Sequence, residues 1–130
     1  NESLNHMFLI YDIAEFLEKK GIQVSKYTTQ KPDLVFDFNG KKYAIEVETG
    51  HKIEKDKKRI IAKVNELNKN YDEWFFVVTN MHYVGKYKKF GRTVDMRYLE
   101  NFIKKALKIE TQKRGANSDK SSAKIKKKRN

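Results

Sequence analysis

The chain has 130 residues, the size of one domain and too short for two independent cores. Its 29 Lys and Arg outnumber 17 Asp and Glu for a formal charge of +12, which favours nucleic acid or an acidic membrane surface over a small neutral ligand. With no Cys, disulfide scaffolds, thiolate zinc fingers and cysteine nucleophiles are excluded, and no apolar run approaches the roughly 20 residues of a bilayer span.

In chain order, residues 4–20 predict a helix. Met7, Ile10, Ile13, Ala14 and Leu17 recur at helical spacing, and Leu4, Phe8 and Tyr11 widen the stripe. Gly21 ends it after two lysines that suit the negative end of the helix dipole. Residues 22–27 predict a short strand, and Pro32 breaks the chain before a run of strand character over 33–38. Asn39-Gly40 then joins that run to the alternating segment 41–48, a strong hairpin signal. Helical periodicity returns over 53–69, with Ile53, Ile60, Val64 and Leu67 on one side and many Lys on the other. Residues 74–78, Trp-Phe-Phe-Val-Val, form a continuous apolar run expected of a strand covered on both faces. Strand, helix and buried strand make a βαβ crossover, so 41–48 and 74–78 should run parallel. A loop rich in Gly, Lys and Tyr is expected over 80–93. A last helix over about 95–109 follows, with Met96, Leu99, Phe102, Ile103 and Ala106 inward. The expected fold class is α/β: a mixed sheet of about four strands flanked by helices, in the order α-β-β-β-α-β-α.

Residues 1–110 are read as the folded domain. The remaining twenty hold eight Lys or Arg and one Asp, with Ile125 as the one sizeable aliphatic residue. Such a segment cannot offset its ordering entropy by burial and is expected to be disordered. Two readings of it stand, a solubilising tail or a sequence-independent grip on phosphate. The chain begins at Asn1, which suggests an excised domain. The expected location is cytoplasmic or nucleoid-associated, without a membrane partner.

The hairpin sets a register. With Asn39-Gly40 as the loop, Phe38 faces Lys41 and Asp33 faces Glu46. Alternation puts Asp33, Val35 and Asp37 on one face with Lys42, Ala44, Glu46 and Glu48, while Leu34, Phe36, Phe38, Tyr43, Ile45 and Val47 form the core face. Asp33, Glu46 and Glu48 then converge at one end of the hairpin. Either this is a solvated face, or the like charges are compensated by a hard divalent cation such as Mg²⁺. A basic protein that gathers acids at one point has the makings of a metal-dependent phosphodiesterase.

These residues resemble the PD-(D/E)XK nuclease superfamily of restriction-endonuclease-like enzymes, similar to its archaeal Holliday-junction-resolvase-type domains. The matching text is Pro32-Asp33 and, thirteen residues on, Glu46-Val47-Glu48, and the resemblance covers about residues 5–80. It implies an α-β-β-β-α-β core and metal-dependent endonucleolytic hydrolysis of DNA. Asp33 and Glu46 would bind Mg²⁺ or Mn²⁺, with the Val47 carbonyl as a further ligand. Glu48 falls where the family has Lys, so it would act as a further acid or general base. Alternatively, Lys42 or Lys52 would bring the missing cation from elsewhere. The family often adds an acid from the first helix, for which Glu15 is the candidate and Glu18 the alternative. His51, just after the motif, is either a phosphate contact or a bystander.

For the nucleic acid, the helix after the motif offers Lys52, Lys55, Lys57, Lys58, Arg59 and Lys63. The 80–93 segment interleaves Tyr83, Tyr87 and Phe90 with Lys86, Lys88, Lys89 and Arg92. That pattern suits backbone tracking with base stacking, or else Tyr83 and Phe90 close the sheet edge as core residues. The expected partner is DNA, with a homodimer if two strands are to be cut. The competing expectation is a catalytically inactive DNA-binding module of a larger replication, conjugation or mobile-element protein.

Overall fold

The computed structural model describes residues 2–27, 32–50 and 53–109. The expectations placed on His51, on Lys52 and on the basic segment 111–130 lie outside the described residues.

Helix α1 spans Glu2–Lys19 and closes where Gly21 takes φ +84° and the Ile22 N–H reaches back to the Leu17 carbonyl. Three strands follow: β1 (Val24–Lys26), β2 (Leu34–Phe38) and β3 (Lys41–Glu48). The β2–β3 turn places Asn39 and Gly40 at φ +51° and +77°, the pair of positive values that a two-residue hairpin needs. The register is the one expected, running from Phe38↔Lys41 to Leu34↔Ile45 and stopping one residue short of Asp33.

Helix α2 (Lys57–Asn70) crosses over to β4 (Glu73–Val78), which lies parallel to β3 with Glu46 beside Phe76 and Glu48 beside Val78. The helix starts at Lys57 rather than at residue 53. Asp56 ends the preceding turn and accepts a hydrogen bond from the Arg59 N–H at 3.4 Å.

Segment 80–93 is not a loop. It forms a 3₁₀ turn (Met81–Tyr83) and a short helix α3 (Val84–Lys88), then enters a fifth strand, β5 (Thr93–Asp95), parallel to β4. Two glycines and scattered lysines hide a helix held by one buried side chain, Tyr87. Asp95 then caps a 3₁₀ turn (Met96–Tyr98) that leads into α4 (Leu99–Leu107). The sheet order is β1-β2-β3-β4-β5, mixed and five-stranded rather than four-stranded. Among the described residues, no helix is long and apolar enough to cross a membrane.

Both faces of the sheet are covered. Leu34, Phe36, Tyr43, Ile45, Val47, Phe75, Val77 and Val94 pack with Ile10, Ile13, Ala14 and Leu17 of α1 and with Leu99, Ile103 and Leu107 of α4. On the other face Phe76 and Val78 pack with Ile53, Ile60 of α2 and Tyr87 of α3. The wider α1 stripe fails at its N-terminal end. Leu4, Met7, Phe8 and Tyr11 are exposed, Phe8 at 58%. The buried row is Ile10, Ile13, Ala14 and Leu17, with Leu9 and Phe16 packed partly against the same core.

Candidate functional site

The two-sided cover decides the environment of the acids. On the face carrying Ala44, Glu46 and Glu48, helices α2 and α3 lie over the C-terminal half of β3. Glu46 is left 5% exposed and Glu48 8%. The solvated-face reading holds for Asp37 and Lys42, at the open end of the hairpin, and not for these glutamates.

Burying two carboxylates requires partners of opposite charge. Lys63 of α2 supplies the main one: its Nζ lies 3.2 Å from Glu46 Oε1 and 3.0 Å from Glu48 Oε2, spanning the i,i+2 pair. Arg59, one helical turn earlier, brings Nη2 to 3.5 Å from Glu48 Oε1 and Nε to 3.4 Å from Asp56. Its Nε is buried without a hydrogen-bond partner. From α3, the Tyr87 hydroxyl donates to Glu48 Oε1 at 2.9 Å.

Asp33 sits at the entry to β2. Its Oδ2 accepts the Val47 N–H at 2.7 Å, in place of a further ladder bond. His6 of α1 completes this end of the site. Its Nε2 lies 3.0 Å from the Val47 carbonyl oxygen and 3.3 Å from Asp33 Oδ2.

The charges are unevenly compensated. Burial pushes Glu46 up to about 8; Lys63 opposes this, while Asp33 and Glu48 reinforce it. Burial works to lower Lys63, but the carboxylates of Glu46 and Glu48 outweigh it and hold the ammonium above its usual range. Burial, then the neighbouring Glu48, raises Tyr87, so it stays a donor. The hydrogen bond with Asp33 raises His6 against the effect of burial.

Asp33, Glu46, Val47 and Glu48 therefore lie at one end of β3. Their side chains divide between two sets of partners, Asp33 with His6 and Glu48 with Lys63, Arg59 and Tyr87. Among the described residues no three His, Asp or Glu side chains form a ready metal-holding group. The Asp33 carboxylate and the Val47 carbonyl both lie beside His6 Nε2, and Asp33 is near enough to Glu46 to act on its charge.

Several expected site residues lie elsewhere. Glu15 is exposed and pairs with Lys19 at 3.6 Å, so α1 contributes His6 in its place; Glu18 is also exposed. Lys42 is at the far, exposed end of β3. Arg59 turns toward Glu48 and Asp56 instead of outward. Tyr87 is fully buried and cannot stack on a base, and Tyr83 and Phe90 pack at the edge of the core. Lys86 pairs with Glu54 and lies over the Tyr83 ring, while Arg92 pairs with Glu73 at 3.0 Å and lies over Phe102. Lys55, Lys88 and Lys89 are exposed.

Of the residues around the acids, the sequence marks Lys63 only as a nucleic-acid contact and does not mark His6. Yet His6 precedes Ile10 by four and Ile13 by seven, at the head of the buried α1 row, and Lys63 follows the buried Ile60 by three. The chain matches no protein-family model, no curated protein and no solved structure.

Proposed function

We propose that the chain is a metal-dependent DNA endonuclease whose site is the C-terminal end of β3. The observation that carries this reading is Glu46: a carboxyl 5% exposed, pushed up to about 8 by burial and two neighbouring acids, inside a chain of charge +12. A structural ion pair needs one acid for one base. Here Glu46 and Glu48 share Lys63, Arg59 is divided between Glu48 and Asp56, and Asp33 pairs with His6, which leaves a place for further positive charge.

The donors are oxygens, the type that a hard divalent ion such as Mg²⁺ or Mn²⁺ takes. Asp33, Glu46 and the Val47 carbonyl would hold it through oxygen, and a cation would offset the burial cost of Glu46. When bound, such an ion activates water as a nucleophile and stabilises charge on a phosphate. Lys63 carries from α2 the cation that the family pattern places at position 48. It orients Glu46 and Glu48 and can donate an N–H hydrogen bond to a phosphate oxygen. Glu48, held by Tyr87, positions Lys63. Lys55, Lys88 and Lys89 are the exposed cations available for sequence-independent backbone contact.

A second reading, a DNA-binding module without catalysis, is favoured by one observation: Glu48 stands where the family has Lys and is tied to Tyr87 and Lys63. The two separate in a cleavage panel over single-stranded, nicked, forked and four-way DNA, with Mg²⁺ or Mn²⁺. The nuclease cuts at least one substrate, and Asp33→Ala or Glu46→Ala abolishes cutting while sparing salt-sensitive binding. Failure of the wild type to cut any of them with either metal removes the enzyme reading. A homodimer would place two such sites on two strands, and sedimentation with and without DNA reads that directly.

A further inference from the structure

We infer that Tyr98, backed by the guanidinium of Arg97, is a stacking platform for an unpaired base, so that the DNA this chain takes is single-stranded or opened at the site rather than intact duplex. This rests on the DNA-binding reading above and deepens it by naming the substrate class.

Stacking needs an aromatic face open to solvent, in surroundings that attract a phosphate backbone. Segment 80–93 does not provide one, because Tyr87 is buried and Tyr83 and Phe90 pack at the edge of the core. Among the described residues three aromatic side chains are exposed: Phe8, Tyr11 and Tyr98, the last at 59%. Charge separates them. Phe8 and Tyr11 belong to α1, where Glu2, Asp12, Glu15 and Glu18 outnumber the one lysine, Lys19. Tyr98 instead follows Arg97 and opens α4, which carries Lys104 and Lys105 against Glu100. Phosphates are repelled by the first surroundings and drawn to the second.

Position ties Tyr98 to the site. Glu48, Val78 and Asp95 are register partners, so they stand in one line across β3, β4 and β5. Adjacent strands are about 4.8 Å apart, which puts the Asp95 backbone roughly 10 Å from that of Glu48. Tyr98 ends the 3₁₀ turn that follows Asp95, at the same C-terminal end of the parallel strands as the buried acids. Met81, also exposed, follows the end of the intervening strand. A DNA strand with one phosphate at the end of β3 can thus reach Tyr98 within a few nucleotides.

The platform is set before a base arrives. Asp95 grips Arg97 by two parallel contacts, Nε to Oδ1 at 3.1 Å and Nη2 to Oδ2 at 2.8 Å, and also accepts the Arg97 main-chain N–H at 2.9 Å. The guanidinium so held lies 5.2 Å from the centre of the Tyr98 ring. Fixing the cation orients the ring and lowers the ordering cost of stacking. Because Asp95 already balances Arg97, the pair offers a base its flat surface and offers a phosphate little net charge.

The test is fluorescence anisotropy with a single-stranded oligonucleotide and with the duplex of the same sequence, in a chelating buffer at several salt concentrations. Wild type is compared with Tyr98→Ala, Tyr98→Leu, Tyr98→Phe and Phe8→Ala. We expect Tyr98→Ala and Tyr98→Leu to weaken single-strand binding by about fivefold to a hundredfold and duplex binding by less than about twofold, with the salt dependence unchanged, while Tyr98→Phe stays within about twofold of wild type. A fluorescent base analogue in the strand should be quenched by wild type and not by Tyr98→Ala. Equal losses on single strand and duplex, or a shallower salt dependence in Tyr98→Ala, would mean a backbone contact and overturn the inference. Wild-type affinity in Tyr98→Leu overturns it too, as does a loss in Phe8→Ala as large as that in Tyr98→Ala. If the wild type binds DNA and Tyr98→Ala changes nothing, this inference alone falls. If the wild type binds neither single strand nor duplex, the DNA-binding reading falls with it.

Discussion

Replacing Glu46 by Gln isolates the cost of the buried carboxyl. Glu46 is pushed from the ordinary 4.5 up to about 8, chiefly by burial. Between those values the folded chain keeps a proton that the unfolded chain has released. The stability associated with this group is therefore fully present below 4.5 and is lost as pH rises through 8. At about 1.4 kcal/mol per unit, the gap corresponds to roughly 5 kcal/mol for complete ionisation, as an upper figure. The amide of the Glu46→Gln variant has no proton to lose. Near pH 5 the variant and the wild type should unfold at similar urea concentrations. Near pH 9 the variant should be the more stable, by about 2 kcal/mol, because Lys63 gives up one of its two anionic partners and returns part of the gain. The assay is urea unfolding followed by circular dichroism in a chelating buffer, at steps of pH from about 5 to 9. Parallel stability profiles for the two proteins would refute the account of Glu46 as a carboxyl short of positive charge. Mn²⁺ should flatten the wild-type profile and leave that of Glu46→Gln nearly unchanged.

Three further outcomes follow from the geometry. Lys63→Ala strands Glu46 and Glu48 without their main cation, so it should cost about 3–5 kcal/mol near pH 8 and less near pH 5; a loss independent of pH would count against the ion pair. Tyr87→Phe keeps the buried ring and removes the hydroxyl that donates to Glu48, for a loss of about 1–3 kcal/mol in unfolding free energy. On α1, Ile13→Ala should cost about 2–5 kcal/mol while Phe8→Ser stays within about 0.5 kcal/mol, by thermal and urea unfolding; a large loss at Phe8 would mean that the exposed stripe is covered.

Local pattern and turn chemistry carried much of this fold into the sequence. Asn39-Gly40 set the β2–β3 register residue by residue, since few other dipeptides accept two positive φ values, and β3 runs from Lys41 to Glu48 as its alternation indicates. The apolar run ending at Val78 announced a strand buried on both sides, and the crossover through α2 then made it parallel to β3. Short elements were less legible. Helix α3 and strand β5 have five and three residues, too few for a period to rise above the surrounding lysines, glycines and aromatics.

Two levels of information thus meet at this site. The residue text alone determined the hairpin, the acids of β3 on the face opposite Ile45 and Val47, and a strongly basic chain around them. Only tertiary packing decided that α2 would lie over those acids, turning a charged strand face into a buried cluster and Lys63 from a surface lysine into its main cation. Packing likewise brought His6 to the carbonyl of Val47, forty-one residues away in sequence. Sequence periodicity reports which face of an element is apolar, but not which element covers it. The charge of Glu46 depends on that cover, and on what stands beside it once water has been excluded.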